Sequence, residues 1–246
     1  MIKVLFIYLF CIYRLTTFSC WAGNPDKQVK ISQPQASEIL SRVKYAYPNK
    51  TLSFKGEIRP RRIGFKMIPL NVSFSSELIK FEFFKNNRSS DSIDETIKLS
   101  FHENKNNVQR IFNGKTITLK ANQLADKIRG TDITYDDIAM RFLNWPNPIL
   151  LSVDKAKGGK AWKIRCVNPS SEEAYSIVDV WVSQRSGALV KMNAFNKNRK
   201  IIKSFEVDSI QQIKGDWFVE TMIVRTYPID ANSKPTSSFL KLESKN

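Results

Sequence analysis

Leu52-Ser53-Phe54-Lys55-Gly56-Glu57-Ile58-Arg59 alternates apolar with polar or small residues, and that alternation decides the fold. Successive side chains of an extended chain point to opposite faces, so Leu52, Phe54, Gly56 and Ile58 would line one side of a sheet. The same period recurs downstream in Leu70/Val72/Phe74, Ile79/Phe81/Phe83 and Ile97/Leu99/Phe101. Asn86–Asp91 and Asn104–Asn107 are polar breaks, and Asn113-Gly114 marks a tight hairpin between Val108–Phe112 and Lys115–Leu119. A second series follows in Trp162–Val167, Tyr175–Val182, Ala188–Phe195, Lys200–Val207, Trp217–Tyr227 and a last strand near Ser237–Leu242. No strand is followed by a helix of crossover length, which disfavours a doubly wound parallel sheet. The expected class is mainly β (α+β), a curved antiparallel up-and-down sheet of about eleven strands covered by two or three helices.

Two helices have sequence signatures. Ser32 can cap the first, Pro34 lies in its first turn, and Ile39, Val43, Ala46 and Tyr47 share one face until Pro48. The second has Thr134 at the cap, Asp137 at the third helical position, and Ile133 placed to staple onto Ile138. Ile138, Phe142 and Trp145 would then lie on one face, with Pro146 and Pro148 ending the helix.

The start of the chain has its own logic. Lys3, the uncharged run Val4–Tyr13 and the small residues Ser19, Cys20 and Ala22 form the anatomy of a secretory signal over residues 1–22. Arg14 interrupts the apolar run too early for a membrane-spanning helix. Two outcomes are open: cleavage after Ala22, or lipidation of Cys20 as a lipoprotein anchor, for which Thr17-Phe18-Ser19-Cys20 is a poor match. The remainder, 23–246, reads as one exported domain. Losing Lys3 and Arg14 takes the net charge from +16 to +14. Cleavage after Ala22 leaves Cys166 as the sole cysteine, so no internal disulfide can form, and Cys166 sits in an alternating strand as an inert thiol.

Composition closes off several chemistries. One histidine and three cysteines cannot supply a histidine-rich zinc site, and no metal or cofactor site is expected. A serine-histidine-aspartate triad would need His102, whose side chain points away from Ile97, Leu99 and Phe101. Asp132, Asp136 and Asp137 cluster at a helix N-terminus, where free N–H groups give carboxylates a structural role without catalysis. Gly158-Gly159-Lys160 lacks the remaining parts of a phosphate loop and reads as a turn. No catalytic residue is assigned, and no enzyme activity is expected. Basic residues concentrate in 50–66 and 185–203. In an exported chain they would meet anionic membrane surfaces or acidic proteins rather than nucleic acid, and a plain solvated surface accounts for them equally. The aromatic residues Phe54, Phe74, Phe81, Phe83, Phe101, Phe142, Trp145, Trp162, Trp181, Phe205 and Trp217 lie mostly on strands. They are candidates either to fill a curled sheet or to line an apolar cavity for acyl chains.

Lys127-Ile128-Arg129-Gly130-Thr131-Asp132-Ile133-Thr134-Tyr135-Asp136-Asp137-Ile138 resembles a motif of the outer-membrane lipoprotein-sorting protein family, the LolA-like proteins. The motif positions are Gly130, Asp132, Thr134 and Asp137. Upstream Glu38–Val43 and Arg59-Pro60-Arg61, and downstream Asp179, Trp181, Lys191–Phe195, Lys203–Phe205 and Gly215–Val219, follow in the family's order. The resemblance spans roughly Ser37 to Leu242 and is weakest over Arg62–Asn107. It implies an incomplete β-barrel closed by helices, and a monomeric, non-enzymatic carrier without cofactor that shields lipoprotein acyl chains or phospholipid. The alternative is a structural or envelope-interaction protein with a filled barrel and a basic surface for anionic lipids.

Overall fold

The computed structural model describes residues 34–44, 51–75, 78–85, 92–101, 106–170, 173–213, 216–230 and 232–244. The signal segment, Ser32, Ala46, Tyr47, Pro48 and His102 lie outside them. Among the described residues thirteen strands form a single sheet. The first run comprises β1 (Leu52–Pro60), β2 (Ile68–Phe74), β3 (Leu78–Phe84), β4 (Ile93–Phe101), β5 (Asn106–Phe112) and β6 (Lys115–Thr118). The second comprises β7 (Ile149–Ala156), β8 (Gly159–Val167), β9 (Ile177–Ser183), β10 (Leu189–Phe195), β11 (Ile201–Ile213), β12 (Asp216–Thr226) and β13 (Thr236–Ser244).

The order β6-β5-β4-β3-β2-β1-β13-β12-β11-β10-β9-β8-β7 is an antiparallel meander folded about its middle. Strands β1 to β6 step outward to one edge, residues 119–148 cross to the other edge, and β7 to β13 step back until β13 pairs with β1, Phe54 opposite Ser244. The sheet stays open between β6 and β7. The crossing segment and helix α1 (Ala36–Lys44) pack on the sheet's inner face, where α1 buries Ile39 and Val43.

Two apolar clusters form the interior. The first is rich in phenylalanine, with Phe54, Phe74, Phe81 and Phe83 alongside Ile97 and Leu99. The second is mainly aliphatic, with Ile164, Val178, Val180, Val182, Met192 and Ala194 beneath α1. The crossing segment serves both: Ile128, Ile133, Tyr135 and Ala139 join the first cluster, and Met140, Phe142 and Leu143 the second.

Several sequence expectations need correction. The strands number thirteen, not about eleven. Ile149–Ala156 escapes a period-two reading because Ile149, Leu150 and Leu151 run together, and β7 is an edge strand with a register shift between Leu150 and Ser152. Asn106 and Asn107 begin β5 rather than ending a break. Buried Asn106 donates from Nδ2 to the carbonyl of Ala139, 2.6 Å away, so the strand start is set by a tertiary bond. The second helix is the third correction. Its cap is as expected, but α2 runs only over Tyr135–Ala139. Met140 turns left-handed at φ 45°, and Arg141–Asn144 form a 3₁₀ turn. That backbone costs on the order of 1–2 kcal/mol for a residue with a Cβ. In return, Tyr135 and Ala139 face the first cluster while Phe142 and Leu143 face the second. The Asn113-Gly114 hairpin has φ 50° and 72°, the left-handed pair a two-residue turn requires.

Candidate functional site

The crossing segment is held by polar groups whose partners come from both runs of strands. Thr134 Oγ1 accepts from the Asp137 N–H at 3.2 Å, and the Asp137 carboxylate accepts from the Thr134 N–H at 2.8 Å. This reciprocal box satisfies two donors that the first helical turn would leave bare. Of the three aspartates only Asp137 caps the helix; Asp132 and Asp136 bond other side chains instead. Asp132 is fully buried and accepts from Arg62 Nη2 at 2.9 Å, Ser238 Oγ at 2.9 Å and Thr236 Oγ1 at 2.5 Å. Burial alone would push its carboxyl up. The hydroxyl bonds and the Arg62 charge outweigh it and hold the group below the ordinary carboxylate range.

Asp136 receives a two-pronged fork from Arg141 at 2.7 and 3.0 Å, and Arg141 also reaches Glu173 at 2.8 Å. Burial is the larger influence on Asp136 and raises its carboxyl despite the fork. Asp137 accepts from Tyr175 OH at 2.8 Å and lies 3.1 Å from the Nζ of Lys203. Lys203, 4% exposed on β11, also donates to the Asp132 carbonyl at 2.5 Å. At the other end of the segment Arg129 pairs with Asp94 at 2.5 Å and Glu95 at 3.1 Å. Tyr135 OH reaches Glu95 at 3.2 Å, and burial followed by the Glu95 charge pushes that phenol up to about 12. Cys166 is buried, and desolvation raises its thiol to about 12, which leaves it a poor nucleophile.

Beneath this strap lies an apolar hollow between the two clusters. Of its seventeen described lining residues sixteen are apolar, and Asp137 is the exception. Phe54, Phe74 and Phe81 line it from β1 to β3, Leu189, Met192 and Phe205 from β10 and β11, and Met222, Val224, Leu240 and Leu242 from β12 and β13. Ile133, Ile138, Met140 and Phe142 of the crossing segment form its cover. The enclosed volume is about 90 Å³, below the roughly 150 Å³ that takes up a benzene ring.

The aromatic candidates divide. Phe54, Phe74, Phe81, Phe142 and Phe205 line the hollow. Phe83 is fully buried in the first cluster with the Arg129 guanidinium 5.1 Å above its ring. Trp145 and Trp162 pack at the margin of the second cluster, and half-buried Trp217 joins neither cluster. Phe101 lies on β4, its side chain outside the described set. Trp181 sits on the face of β9 opposite Val180 and Val182, with Lys163 and Lys191 at 5.0 and 4.9 Å and its indole donating to Asp154 at 3.0 Å. The aliphatic and methionine lining was not anticipated, nor were Arg62, Lys203 and Glu95 as fasteners of the strap. A signal for two of these exists. Lys203 shares the inward phase of Phe205 and Val207, and Glu95 that of Ile97 and Leu99, so each is a charge on a buried face that requires a partner.

A protein family described only as an uncharacterized protein matches residues 93–245. The chain belongs to that family. No curated protein matches it. Among solved structures, a DUF1329 family protein from Desulfovibrio piger superposes with a TM-score of 0.68 at 12% identity, covering 84% of this chain and 89% of that one. A putative outer membrane lipoprotein-sorting protein domain from Vibrio parahaemolyticus gives 0.68 at 10% identity, covering 85% and 90%. A LolA superfamily protein from Nitrosomonas europaea gives 0.61 at 16% identity, covering 86% and 93%. At these identities the likeness is one of fold, and the LolA-like fold implied by Lys127–Ile138 is present. Among the described residues no His/Cys/Asp/Glu group could hold a metal ion, and no helix is long and apolar enough to cross a membrane.

Proposed function

We propose that the protein is an exported, periplasmic, non-enzymatic binder or carrier of lipid or lipoprotein acyl chains, working as a monomer through the single domain 23–246 after a signal at 1–22. One observation carries this reading: sixteen of the seventeen described side chains around the hollow are apolar. Each methylene moved from water into such a hollow contributes about 0.8 kcal/mol, so an acyl chain needs no catalytic group to be held. The space enclosed is smaller than an acyl chain requires, and uptake therefore involves widening. Met140, Met192 and Met222 are unbranched side chains suited to re-packing around a guest.

Native mass spectrometry of the exported protein would detect co-purifying acyl species, together with the signal cleavage point and the state of Cys20. Displacement of a hydrophobic dye by fatty acid would report on the site in solution. Leu240→Trp, which fills the hollow, is expected to abolish dye uptake while the circular dichroism spectrum is retained. A folded wild-type protein that takes up neither lipid nor dye would sink the carrier reading.

A further inference from the structure

The β1–β2 loop reads Arg61-Arg62-Ile63-Gly64-Phe65-Lys66-Met67. Ile63 is fully exposed, and Phe65 and Met67 are 49% and 43% exposed. Isolated exposed apolar residues are ordinary on protein surfaces. Here three alternate ones share a loop with three cations and no acid. The loop is also fastened to the body at its base. The Arg61 N–H donates to the Ser237 carbonyl at 2.7 Å, and the Phe65 N–H to the Arg62 carbonyl at 3.3 Å. The Arg62 guanidinium is tied to Asp132 and Thr236, each at 2.9 Å, and lies 5.5 Å over the Phe65 ring. Gly64, at φ +85°, turns the tip through open space. The apolar tip is thus held outward by its anchors.

The sheet register gathers similar features at the same end. Pro60 pairs with Ser238, which brings the β12–β13 loop and its 68%-exposed Ile229 to this end. Lys203 pairs with Thr226, which brings the β10–β11 turn with exposed Lys197, Arg199 and Lys200, followed by Ile201. Ile93 and Phe112, both exposed, lie at this end on β4 and β5. Of the described acids here, Asp94 and Glu95 pair with Arg129, while Asp230 accepts from the N–H of Asn232 and the hydroxyl of Ser233 and keeps its charge, one acid among several cations.

We infer that this end of the sheet docks on an anionic phospholipid bilayer, with Ile63 and Phe65 entering the acyl region and the surrounding lysines and arginines resting on headgroups. Cations distributed over separate loops around an apolar tip match a plane of diffuse negative charge above hydrocarbon. The inference does not depend on what the hollow holds.

The test is flotation of the full chain with vesicles of phosphatidylglycerol and phosphatidylcholine, against phosphatidylcholine alone. Wild-type protein is expected to float with the anionic vesicles and to lose binding as salt rises. The double substitution Ile63→Ser with Phe65→Ser is expected to lower partitioning at least about tenfold. Lys66→Ala is expected to lower it on the order of fivefold. With anionic vesicles, Ile63→Trp should add a blue-shifted indole emission, relative to wild type, that brominated acyl chains quench. These positions are exposed, so the variants should keep the wild-type circular dichroism. Absence of flotation, flotation unchanged in the double variant, or an indole at position 63 that stays in water would each overturn the inference. Dye uptake by the hollow is a separate readout: flotation without dye uptake would defeat the carrier reading and leave docking standing.

Discussion

The two halves of the crossing segment are fastened differently, and the difference identifies what kind of cover lies over the hollow. Before Thr134, Asp132 is fixed to Arg62 of the β1–β2 loop and to Thr236 and Ser238 of β13. After it, Asp137 is fixed to Tyr175 and Lys203 from the β7–β11 side of the molecule, and Asp136 is tied through the segment's own Arg141 to Glu173 of that side. At Asp132 two hydroxyls and the Arg62 charge outweigh burial and lower the carboxyl, and Lys203 of β11 also reaches its carbonyl. The second half relies on long charged side chains, and burial dominates at Asp136 and raises its carboxyl. A flap hinged on one side would show fasteners on one wing only. This segment is a strap secured to both, so widening the hollow requires release on at least one side or a bend where the backbone already departs from helix, at Met140.

The comparison can be broken hardest at Asp132. Asp132→Ala leaves Arg62 and two hydroxyls without their acceptor and is expected to cost about 3–5 kcal/mol, read by urea denaturation. Lys203→Met removes the cation that reaches both halves. Asp137 keeps the Tyr175 hydroxyl and the Thr134 N–H, so a smaller loss of about 2–3 kcal/mol is expected in the same assay. If the two substitutions cost the same, the contrast between the halves is wrong. Thr134→Ala removes only the cap and should cost about 1 kcal/mol, seen as a modest fall in Tm.

Acid titration sharpens the contrast with the least perturbation. The folded-state pKa of Asp132 lies below the unfolded value, so its contribution is present above the unfolded carboxylate range near about pH 4 and disappears as pH falls through the folded pKa. Asp132→Asn should flatten that acid-side loss of stability. Asp136 has the opposite sign: its raised folded pKa favours the folded state while it is protonated, and that contribution declines as pH rises through the folded value. Asp136→Asn should therefore steepen the net acid-side loss. Equal slopes in the two variants would contradict the assignment.

Much of the sheet was legible because burial of one face writes a period of two into sequences such as Ile79/Phe81/Phe83 and Ile97/Leu99/Phe101. The edge strand Ile149–Ala156 was not, because Ile149, Leu151 and Val153 are exposed on it and no buried face imposes a pattern. Thr134 and Asp137 announced a helix start through local chemistry. Its end at Met140 is a tertiary matter, set by two clusters that need side chains aimed in different directions. At the hollow, aromatic residues were visible as a class but not by destination. Trp181 had a clue, sharing the phase of Asp179 rather than that of Val178, Val180 and Val182, and both of its lysine neighbours lie on the adjoining strands. Asp137 caps the helix start, as the spacing of Thr134 and Asp137 suggests, whereas Asp132 bonds Arg62, Thr236 and Ser238 rather than helix N–H groups, and Arg62 and Lys203 were hidden inside basic stretches that looked like surface.

The pairing of β1 with β13 carries a consequence for how the molecule assembles. The middle of the sheet joins the first strand to the last, so neither central neighbour is complete until nearly the whole chain is available. Such long-range pairing places folding among the slow β topologies, on the order of milliseconds to seconds. Until β13 arrives, both β1 and β12 present open edges to any other extended chain. During synthesis, the vulnerable species is thus a nearly finished sheet lacking its keystone, and a chaperone that holds β1 until Thr236–Ser244 emerges would protect it at the point where it is most liable to aggregate.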